Sequence, residues 1–499
     1  MTLSEWRLRG YALIALVAVA LALCAAVAAR AGDDQPPRAR DTWFTLSLGG
    51  HRCGWLHESV SVVDGGVETF NEMRMSVGRA GSETSMAIAW KCLERPIGHP
   101  LHCEVKTEAG GLLTEARFEF KGTEIAVTER AGGRSVERTM ATPSGSWLTP
   151  AQVEALIDAQ RASGASEFHY RTIDPGSGMQ IVEVKSTRSG ESGEGRTTWS
   201  TENATLGITS TELVSREGEL LSSRTRLPLG DLLAERADRA SAQRPWKGAD
   251  IDLIRSTMVP LAAPEDRLLK GTTATLAVTA LDGAAIMFPT AGAQTSRPRP
   301  EGGSEVTVTV GGTTPATPEE VQDPRYLAST AIVDAGDPAV QALASRALLD
   351  ATLTDDSPAA SRAEGMRAFV DRFIDKKNLA SAFASASSVA TTRSGDCSEH
   401  AVLLAALLRS QGIPARLASG LVYADEFAGK RGVFAWHMWT QALIDGRWLD
   451  FDATLRGRAF HAGHLLIATS PQDDASIDAD FSRLLAVIGN LRIEVIRVD

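Results

Sequence analysis

The feature that most constrains the fold of this chain is a short polar segment that runs directly into an apolar one. Residues 394–400 read SGDCSEH, and the eight residues that follow are all apolar. Asp396, followed three residues later by Glu399, forms a capping-box pattern that marks the beginning of a helix. Gly-Ile-Pro at residues 412–414 would end it. We therefore predict a helix of about four turns over residues 397–411.

A cysteine occupies the first position of this predicted helix. The sulfur of Cys397 would lie beside free backbone N–H groups and the positive end of the helix dipole, and both favour a thiolate over a thiol. The amide of Cys397 could also hold an oxyanion. A base that takes up and returns a proton is needed as well, and His437 is the candidate. His400 is a rival base, but no derivable register places a carboxylate beside it, so we expect a role in packing or as an outer partner of the site residues.

A predicted hairpin supplies the carboxylate for His437. The Asp-Gly dipeptide at residues 445–446 is a strong two-residue turn signal between two apolar strands. This turn pairs residue 444 with 447 and therefore residue 439 with 452. His437 then becomes the diagonal neighbour of Asp452, roughly 7 Å away between backbones. Asp450 would lie opposite Gln441, and we interpret it as a solvated or capping residue. Cysteine, histidine and aspartate in this order predict a nucleophile, a base and an orienting acid.

The same residues carry a resemblance to a known family, the transglutaminase-like superfamily. It covers about residues 325–460 and rests on four motifs: GDCSEHA (395–401), GIPAR (412–416), HMW (437–439) and WLDFDAT (448–454). The resemblance implies an α+β, papain-like core at the C-terminus. Its members include bacterial peptidases, transglutaminases and peptide-N-glycanases. By similarity, Cys397, His437 and Asp452 would be the nucleophile, the base and the orienting acid. Water as acceptor would give hydrolysis, and a lysine amine would give cross-linking.

The rest of the chain predicts further domains, since 499 residues exceed one ordinary core. Residues 41–245 show short strands between Gly-rich turns, which predicts a mostly antiparallel β domain. One helix interrupts them, with Thr149 as N-cap and Pro150 at its first position. Residues 246–318 read as a second β-containing segment and linker, and residues 320–499 as the catalytic domain.

Residues 1–31 have the pattern of a targeting element. Arg7 and Arg9 precede an uninterrupted apolar stretch of nineteen residues, Tyr11 to Ala29. This stretch is long for a signal-peptide core and marginal for a membrane-spanning helix, so a cleaved signal and a retained membrane anchor stay open. Either alternative places the bulk of the chain outside the cytoplasm, in the periplasm or cell envelope.

Cysteine and histidine residues outside the predicted site allow weaker interpretations. Cys92 and Cys103 flank a plausible hairpin turn and could form a disulfide, which an exported compartment permits and which would leave Cys53 unpaired. Three half-buried thiols are the alternative. The usual zinc spacing is absent, so we expect no metal ion and no cofactor. His461 and His464 are assigned to a surface loop.

Charge and motifs together define the expected function. A net charge of −11 and the lack of a Lys/Arg run argue against nucleic-acid binding. We expect an exported thiol enzyme that acts on proteins or peptides through an acyl-enzyme on Cys397, most simply a cysteine peptidase or amidase. Hydrolysis is preferred because nothing indicates calcium sites of the kind found in animal cross-linking relatives. The alternatives are a protein-glutamine γ-glutamyltransferase and a non-catalytic binding or assembly module of the envelope.

Overall fold

The computed structural model describes most of residues 37–499. Its gaps fall at 64–65, 80–81, 96, 110–111, 132–133, 206–207, 228–229, 247–248, 253–257, 282, 284–285, 331, 378–383, 456–459 and 472–488. The predicted targeting segment, residues 1–31, lies outside the described residues. The described residues up to Asp252 form one compact unit, and those that follow form a second. Among the described residues, no helix has both the length and the apolar character needed to cross a membrane.

The first unit is built on one large sheet. Its strands are β1 Arg40–Leu48, β2 His51–Val63, β3 Gly66–Arg79, β4 Ser82–Glu94, β5 Pro100–Ala109, β6 Leu112–Lys121, β7 Glu124–Ala131, β8 Arg134–Ala141, β9 Glu167–Asp174, β10 Gln180–Ser192, β11 Arg196–Asn203, β12 Ile208–Val214, β13 Leu220–Thr225, β14 Leu232–Ala237 and β15 Ala249–Asp252. The order is β8-β7-β6-β5-β4-β3-β2-β1-β14-β13-β12-β11-β10-β9, with β15 on β3. Every pairing along this path is antiparallel, whereas β15 pairs with β3 in parallel. The expected antiparallel β region is confirmed.

Two helices belong to this unit, α1 (Pro150–Ala162) and the short α2 (Arg239–Ala242). Thr149 is the N-cap of α1 and Pro150 its first residue, as predicted, and Val153 and Ile157 face the core. A strand residue completes this cap, because the buried Glu94 side chain accepts hydrogen bonds from the backbone N–H of Ala151 (2.7 Å) and from the Thr149 hydroxyl. Burial raises the pKa of Glu94.

A disulfide joins Cys92 on β4 to Cys103 on β5, its direct cross-strand partner. Of the two alternatives left open by the sequence, the cross-hairpin bond is therefore the one observed. Cys53 is buried and free.

The second unit contains helices and three sheets. Its helices are α3 Pro318–Gln322, α4 Pro338–Asp350, α5 Ala359–Phe373, α6 Ala386–Thr392 and α7 Cys397–Ser410. Its strands are β16 Val259–Pro260, β17 Thr273–Ala280, β18 Gln294–Pro298, β19 Ser304–Thr309, β20 Thr314–Pro315, β21 Lys376–Lys377, β22 Ser394–Gly395, β23 Ala415–Phe427, β24 Lys430–Ile444, β25 Arg447–Phe451, β26 His464–Ser470 and β27 Leu491–Val498. The main sheet has the order β20-β25-β24-β23-β26 with β16 on β24, the second has β18-β19-β17-β27, and β21 pairs with β22.

Most strands from the predicted segment 246–318 pair within this second unit, whereas β15 pairs with β3 in the first unit. Strand β17 pairs with β27 near the C-terminus, β16 pairs with β24, and β20 pairs with β25. The expected separate segment thus supplies edge strands and a sheet to the unit that carries the predicted site. The domain boundaries near 245 and 320 stay predictions.

Helix α7 lies at the centre of the second unit. Its residues from Ser398 to Arg409 are buried, and they pack against β24, β23 and the helices α4, α5 and α6. A helix that is apolar on all sides belongs in a core, which explains the uninterrupted apolar run of the sequence. Residues 386–392, just before the beginning of α7, form the short helix α6. The Ser385 side chain caps this helix by accepting from the N–H of Ser388 (3.3 Å).

Candidate active site

The beginning of α7 holds Cys397 in place. The Asp396 carboxylate accepts from the N–H of Ser398 (2.9 Å), and the Glu399 carboxylate accepts from the N–H of Asp396 (2.8 Å). The predicted capping box is confirmed. Gly395 must lack a side chain here, because a Cβ would lie 2.2 Å from the Cβ of Glu399. Cys397 is half-buried at the first helical position.

The hairpin that carries His437 has the predicted register. Ile444 pairs with Arg447, and Gln441 pairs with Asp450. Both turn residues have positive φ, 51° at Asp445 and 70° at Gly446, as a type I′ turn requires. This register brings the Nε2 atom of His437 to 2.7 Å from Oδ2 of Asp452.

Helix α7 and strand β24 are linked directly. The hydroxyl of Thr440 donates to the carbonyl of Ala401 (3.0 Å). The Cys397 sulfur interacts with the His437 ring, because it is one of the groups that raise the pKa of His437. Since Nε2 of His437 faces Asp452, Nδ1 is the ring nitrogen left for the sulfur. The structure therefore brings the three predicted residues together around the His437 ring.

Burial and charge set the protonation of this series. Burial of the His437 ring disfavours its cation, but the Asp452 carboxylate and the Cys397 sulfur outweigh burial and raise the pKa of His437 from 6.5 to about 10. Burial likewise disfavours the charged form of Asp452. Its neighbours His437 and His464 outweigh this and hold the pKa of Asp452 well below its usual range. A protonated histidine beside an ionised aspartate is the expected state at neutral pH.

His464 is a part of the site that the sequence interpretation missed. Its Nε2 lies 3.0 Å from Oδ2 of Asp452, the same oxygen that faces His437. The assignment of His461 and His464 to a surface loop is wrong, because both are buried. His464 begins β26, and the apolar run LLIA at 465–468 after it was the available signal for a buried strand.

Asp450 also differs from its interpretation as a solvated residue. Its Oδ1 accepts from the indole N–H of Trp439 (2.6 Å) and from the Gln441 amide (2.8 Å), and its Oδ2 accepts from the N–H of Ala293 (2.7 Å). The loop at Ala293 approaches closely because Gly292 has φ +57° and no side chain. A Cβ there would lie 2.0 Å from Oδ2 of Asp450. Asp450 is therefore a half-buried anchor of the sheet.

His400 has the packing role expected of it. The ring is buried, and Nδ1 lies 2.5 Å from the carbonyl oxygen of Asp396, one turn earlier in the chain. This bond directs the ring toward the backbone at the helix start.

One group of described residues has donor atoms close enough to hold a metal ion, namely His437, Asp452 and His464. The atoms concerned are the two Nε2 atoms and Oδ2, which are already joined by hydrogen bonds of 2.7 and 3.0 Å. The geometry of these three residues fits two histidines hydrogen-bonded to one carboxylate at least as well as it fits a metal-cation site. Among the earlier cysteines, Cys92 and Cys103 are committed to their disulfide.

In this site a cysteine at a capped helix start faces a His–Asp pair on an antiparallel hairpin. This arrangement characterises one class of domain. Residues 349–453 match the family model of the transglutaminase-like superfamily. The C-terminal part of the chain thus contains a transglutaminase-like domain, as its motifs predicted.

Similarity to solved structures is distant, and no curated protein matches the chain. A protein from Cytophaga hutchinsonii, provisionally described as a cysteine protease, has 17% identity and a TM-score of 0.27, with 46% of this chain and 89% of that chain covered. A β-barrel-like protein from Brucella abortus, of a domain family of unknown function, has 10% identity and a TM-score of 0.31, covering 40% of this chain and 96% of that one. A protein from Parabacteroides distasonis, provisionally described as a protease, has 12% identity and a TM-score of 0.19, covering 72% and 69%. With such low TM-scores these three likenesses carry no argument.

Proposed function

We propose that the second unit is a cysteine hydrolase that cleaves amide bonds of proteins or peptides through an acyl-enzyme on Cys397. The observation that carries this proposal is the placement of the His437 ring beside both the Cys397 sulfur and the Asp452 carboxylate, whose Oδ2 lies 2.7 Å from Nε2 of His437. A helix bearing the thiol, packed on an antiparallel sheet bearing the base and the acid, is also the layout expected of a papain-like core.

The proposed reaction has two stages, with His437 as acid in the first and base in the second. The Cys397 sulfur attacks the carbonyl carbon, and the backbone N–H of Cys397 donates to the oxygen that becomes negative. Collapse of this intermediate breaks the C–N bond, and protonated His437 gives its proton to the leaving amine. Water then attacks the thioester, His437 takes its proton, and the C–S bond breaks to release the acid. Asp452 keeps the ring oriented and stabilises its cation throughout.

Thiol reactivity tests this proposal without a known substrate. We expect iodoacetamide to alkylate Cys397 faster than a free thiol at pH 7, and His437→Ala to abolish the acceleration, with sites assigned by peptide mass mapping. Cys53 is the internal control, because burial raises the pKa of its thiol to about 12 and shields it. Reaction at Cys397 no faster than a free thiol, and unchanged in His437→Ala, would contradict an enzymatic role and favour the binding or assembly module.

The acceptor is tested separately. A glutamine-containing peptide incubated with the protein and a primary amine should be cleaved into shorter fragments that together have gained one water, with the amine left free. Incorporation of the amine at glutamine would instead identify a protein-glutamine γ-glutamyltransferase. Cys397→Ala is the control for both products.

Export to the periplasm or cell envelope, and attachment through residues 1–31, are part of the proposal. The sequence pattern of that segment supports them, and so does the Cys92–Cys103 disulfide, since such bonds persist in oxidising compartments. The mass of the mature protein isolated from cells distinguishes a cleaved signal from a retained anchor.

A further inference from the structure

One carboxylate oxygen of Asp452 lies within hydrogen-bond distance of two histidines. Its Oδ2 lies 2.7 Å from Nε2 of His437 and 3.0 Å from Nε2 of His464, and its Oδ1 accepts from the N–H of Thr454 (2.8 Å). Asp452 and His464 are 0% and 1% exposed. A charge buried this deeply depends on hydrogen bonds from the surrounding protein.

The ring of His464 is itself held rigidly. Its Nδ1 lies within reach of the N–H (3.3 Å) and the carbonyl oxygen (2.8 Å) of His461, and with that N–H donating to Nδ1 the ring proton lies on Nε2, facing Asp452. Phe460 stacks on the ring with centroids 4.0 Å apart, and Trp439 meets it edge-on at 5.2 Å. Trp439 is in turn fixed by its hydrogen bond to Asp450. His464 is thus a donor of fixed position, as partners of functional carboxylates need to be.

We infer that His464 is a positioning residue, which anchors the Asp452 carboxylate so that its Oδ2 stays directed at His437. The inference rests on the proposed role of Cys397 as nucleophile. A single hydrogen bond to His437 would let the carboxylate turn whenever that ring moves during proton transfer. Two further donors, His464 and the N–H of Thr454, fix both oxygens while His437 exchanges its proton.

Two substitutions separate this role from simple packing. His464→Gln keeps an N–H donor at about the place of Nε2 but loses the ring, whereas His464→Phe keeps the ring and loses the donor. We expect His464→Phe to slow alkylation of Cys397 by about 10–100-fold at pH 7, as loss of such outer partners does, and His464→Gln to stay within about threefold of the native protein. The reverse order would mean that the ring acts by packing alone and would overturn the inference.

Rates are normalised to the folded fraction, measured by near-UV circular dichroism. Should His464→Phe fail to fold, His464→Met provides an apolar side chain of similar size without a donor. The native protein and His437→Ala are run alongside. If the native protein is alkylated fast and this depends on His437, but loss of the donor at His464 has no effect, the inference about His464 is overturned and the proposed function is not. Slow native alkylation would overturn the proposed function as well.

A second measurement reports on the charge of His437. Negatively charged iodoacetate gains more than neutral iodoacetamide from an imidazolium beside the sulfur, so the ratio of their rates falls where His437 loses its proton. We expect the midpoint of this fall to move to lower pH in His464→Phe and to stay in place in His464→Gln. The titratable groups that face His464 are His437, Asp452, His461 and Asp450, and all are retained in both variants. An unmoved midpoint, or one moved to higher pH, would overturn the anchoring role.

Discussion

Asp452 is a buried carboxylate that remains charged because its surroundings replace water. His437 and His464 donate to or face one oxygen, Thr454 donates to the other, and Arg367 donates to the backbone carbonyl of the same residue (3.3 Å). Burying a charge without partners is costly, whereas one that is paired and hydrogen-bonded can be tolerated. The two neighbouring aspartates, Asp450 and Asp452, therefore differ in role because they differ in partners.

Substituting the two aspartates separately should show this difference. Asp452→Asn removes the charge that supports the His437 cation, and we expect alkylation of Cys397 at pH 7 to slow and turnover to fall by on the order of 10²–10⁴-fold. Asp450→Asn presents an amide where backbone and indole N–H groups donate. We expect it to lower the free energy of unfolding by about 1–3 kcal/mol. Urea unfolding and Cys397 alkylation on both variants check the prediction, and equal effects on alkylation would contradict it.

The raised pKa of His437 also predicts how stability depends on pH. The folded protein binds the His437 proton more tightly than the unfolded chain, whose histidine has the ordinary value of 6.5. This contribution to stability is complete below about pH 6.5 and is lost as the pH rises through about 10. We expect the difference in unfolding free energy between the native protein and His437→Gln to shrink steadily over that range. Urea unfolding from pH 6 to pH 10 measures it, and a difference that grows with pH would contradict the prediction.

Helix α7 is buried along its length, and both of its ends are closed by specific residues. The capping box closes its beginning, while Gly412 at φ +71° closes its end and lets the N–H of Ile413 reach the carbonyl of Leu408 (3.0 Å). Arg409 adds hydrogen bonds to the carbonyls of Ala415 and Pro471. The beginning of the helix serves the thiol, whereas its end serves only the fold.

Two glycine substitutions at opposite ends of α7 should therefore have different effects. Gly395→Ala forces a Cβ into the side chain of Glu399, so we expect both a loss of stability and slower alkylation of Cys397. Gly412→Ala strains a left-handed position in open space, and we expect a cost of about 1 kcal/mol with alkylation unchanged. Thermal unfolding and alkylation of both variants provide the comparison. Unchanged alkylation in Gly395→Ala, at full folding, would show that the capping box does not position the thiol.

Short sequence signals correctly predicted the features that depend only on adjacent residues. The Asp-Gly turn fixes the register that brings His437 to Asp452, and the capping box fixes the start of α7, since each depends on a few adjacent residues. His464 and Asp450 were misjudged because their burial depends on Phe460, Trp439 and the distant loop at Ala293. No periodicity reports such contacts. The resemblance identified the domain class, but the arrangement around Asp452 could not be predicted, because it depends on contacts between residues distant in the sequence.

At the scale of the whole molecule, the two units differ in how far apart in the sequence their paired strands lie. In the first unit nearly all neighbours in the sheet are consecutive along the chain, and β1 pairs with β14. In the second, β17 pairs with β27 across more than two hundred residues of chain. Contacts of the first kind form readily, whereas those of the second kind require a large loop to close.

The Cys92–Cys103 bond adds local stability to the first unit. It closes a loop with a sequence separation of 11, for which chain entropy predicts about 3 kcal/mol of stabilisation. We expect the double variant Cys92→Ala/Cys103→Ala to exchange its β4 and β5 amide hydrogens faster in the folded protein. Hydrogen exchange read by mass spectrometry measures this, with Cys53→Ala as the control that alters a buried thiol but no bond. Equal exchange in the double variant and the control would contradict the prediction.

The pairing of β17 with β27 has a consequence for how the protein is made. A ribosome releases residues 273–280 long before it has synthesised residues 491–498, so β17 must wait for its partner while α7 and the hairpin of His437 emerge. The strand pairings described for the first unit all lie within residues 40–252, so this unit can fold while synthesis continues. A ribosome that stalls before residues 491–498 would leave this edge of β17 unpaired, and an unpaired apolar strand edge is exposed to aggregation.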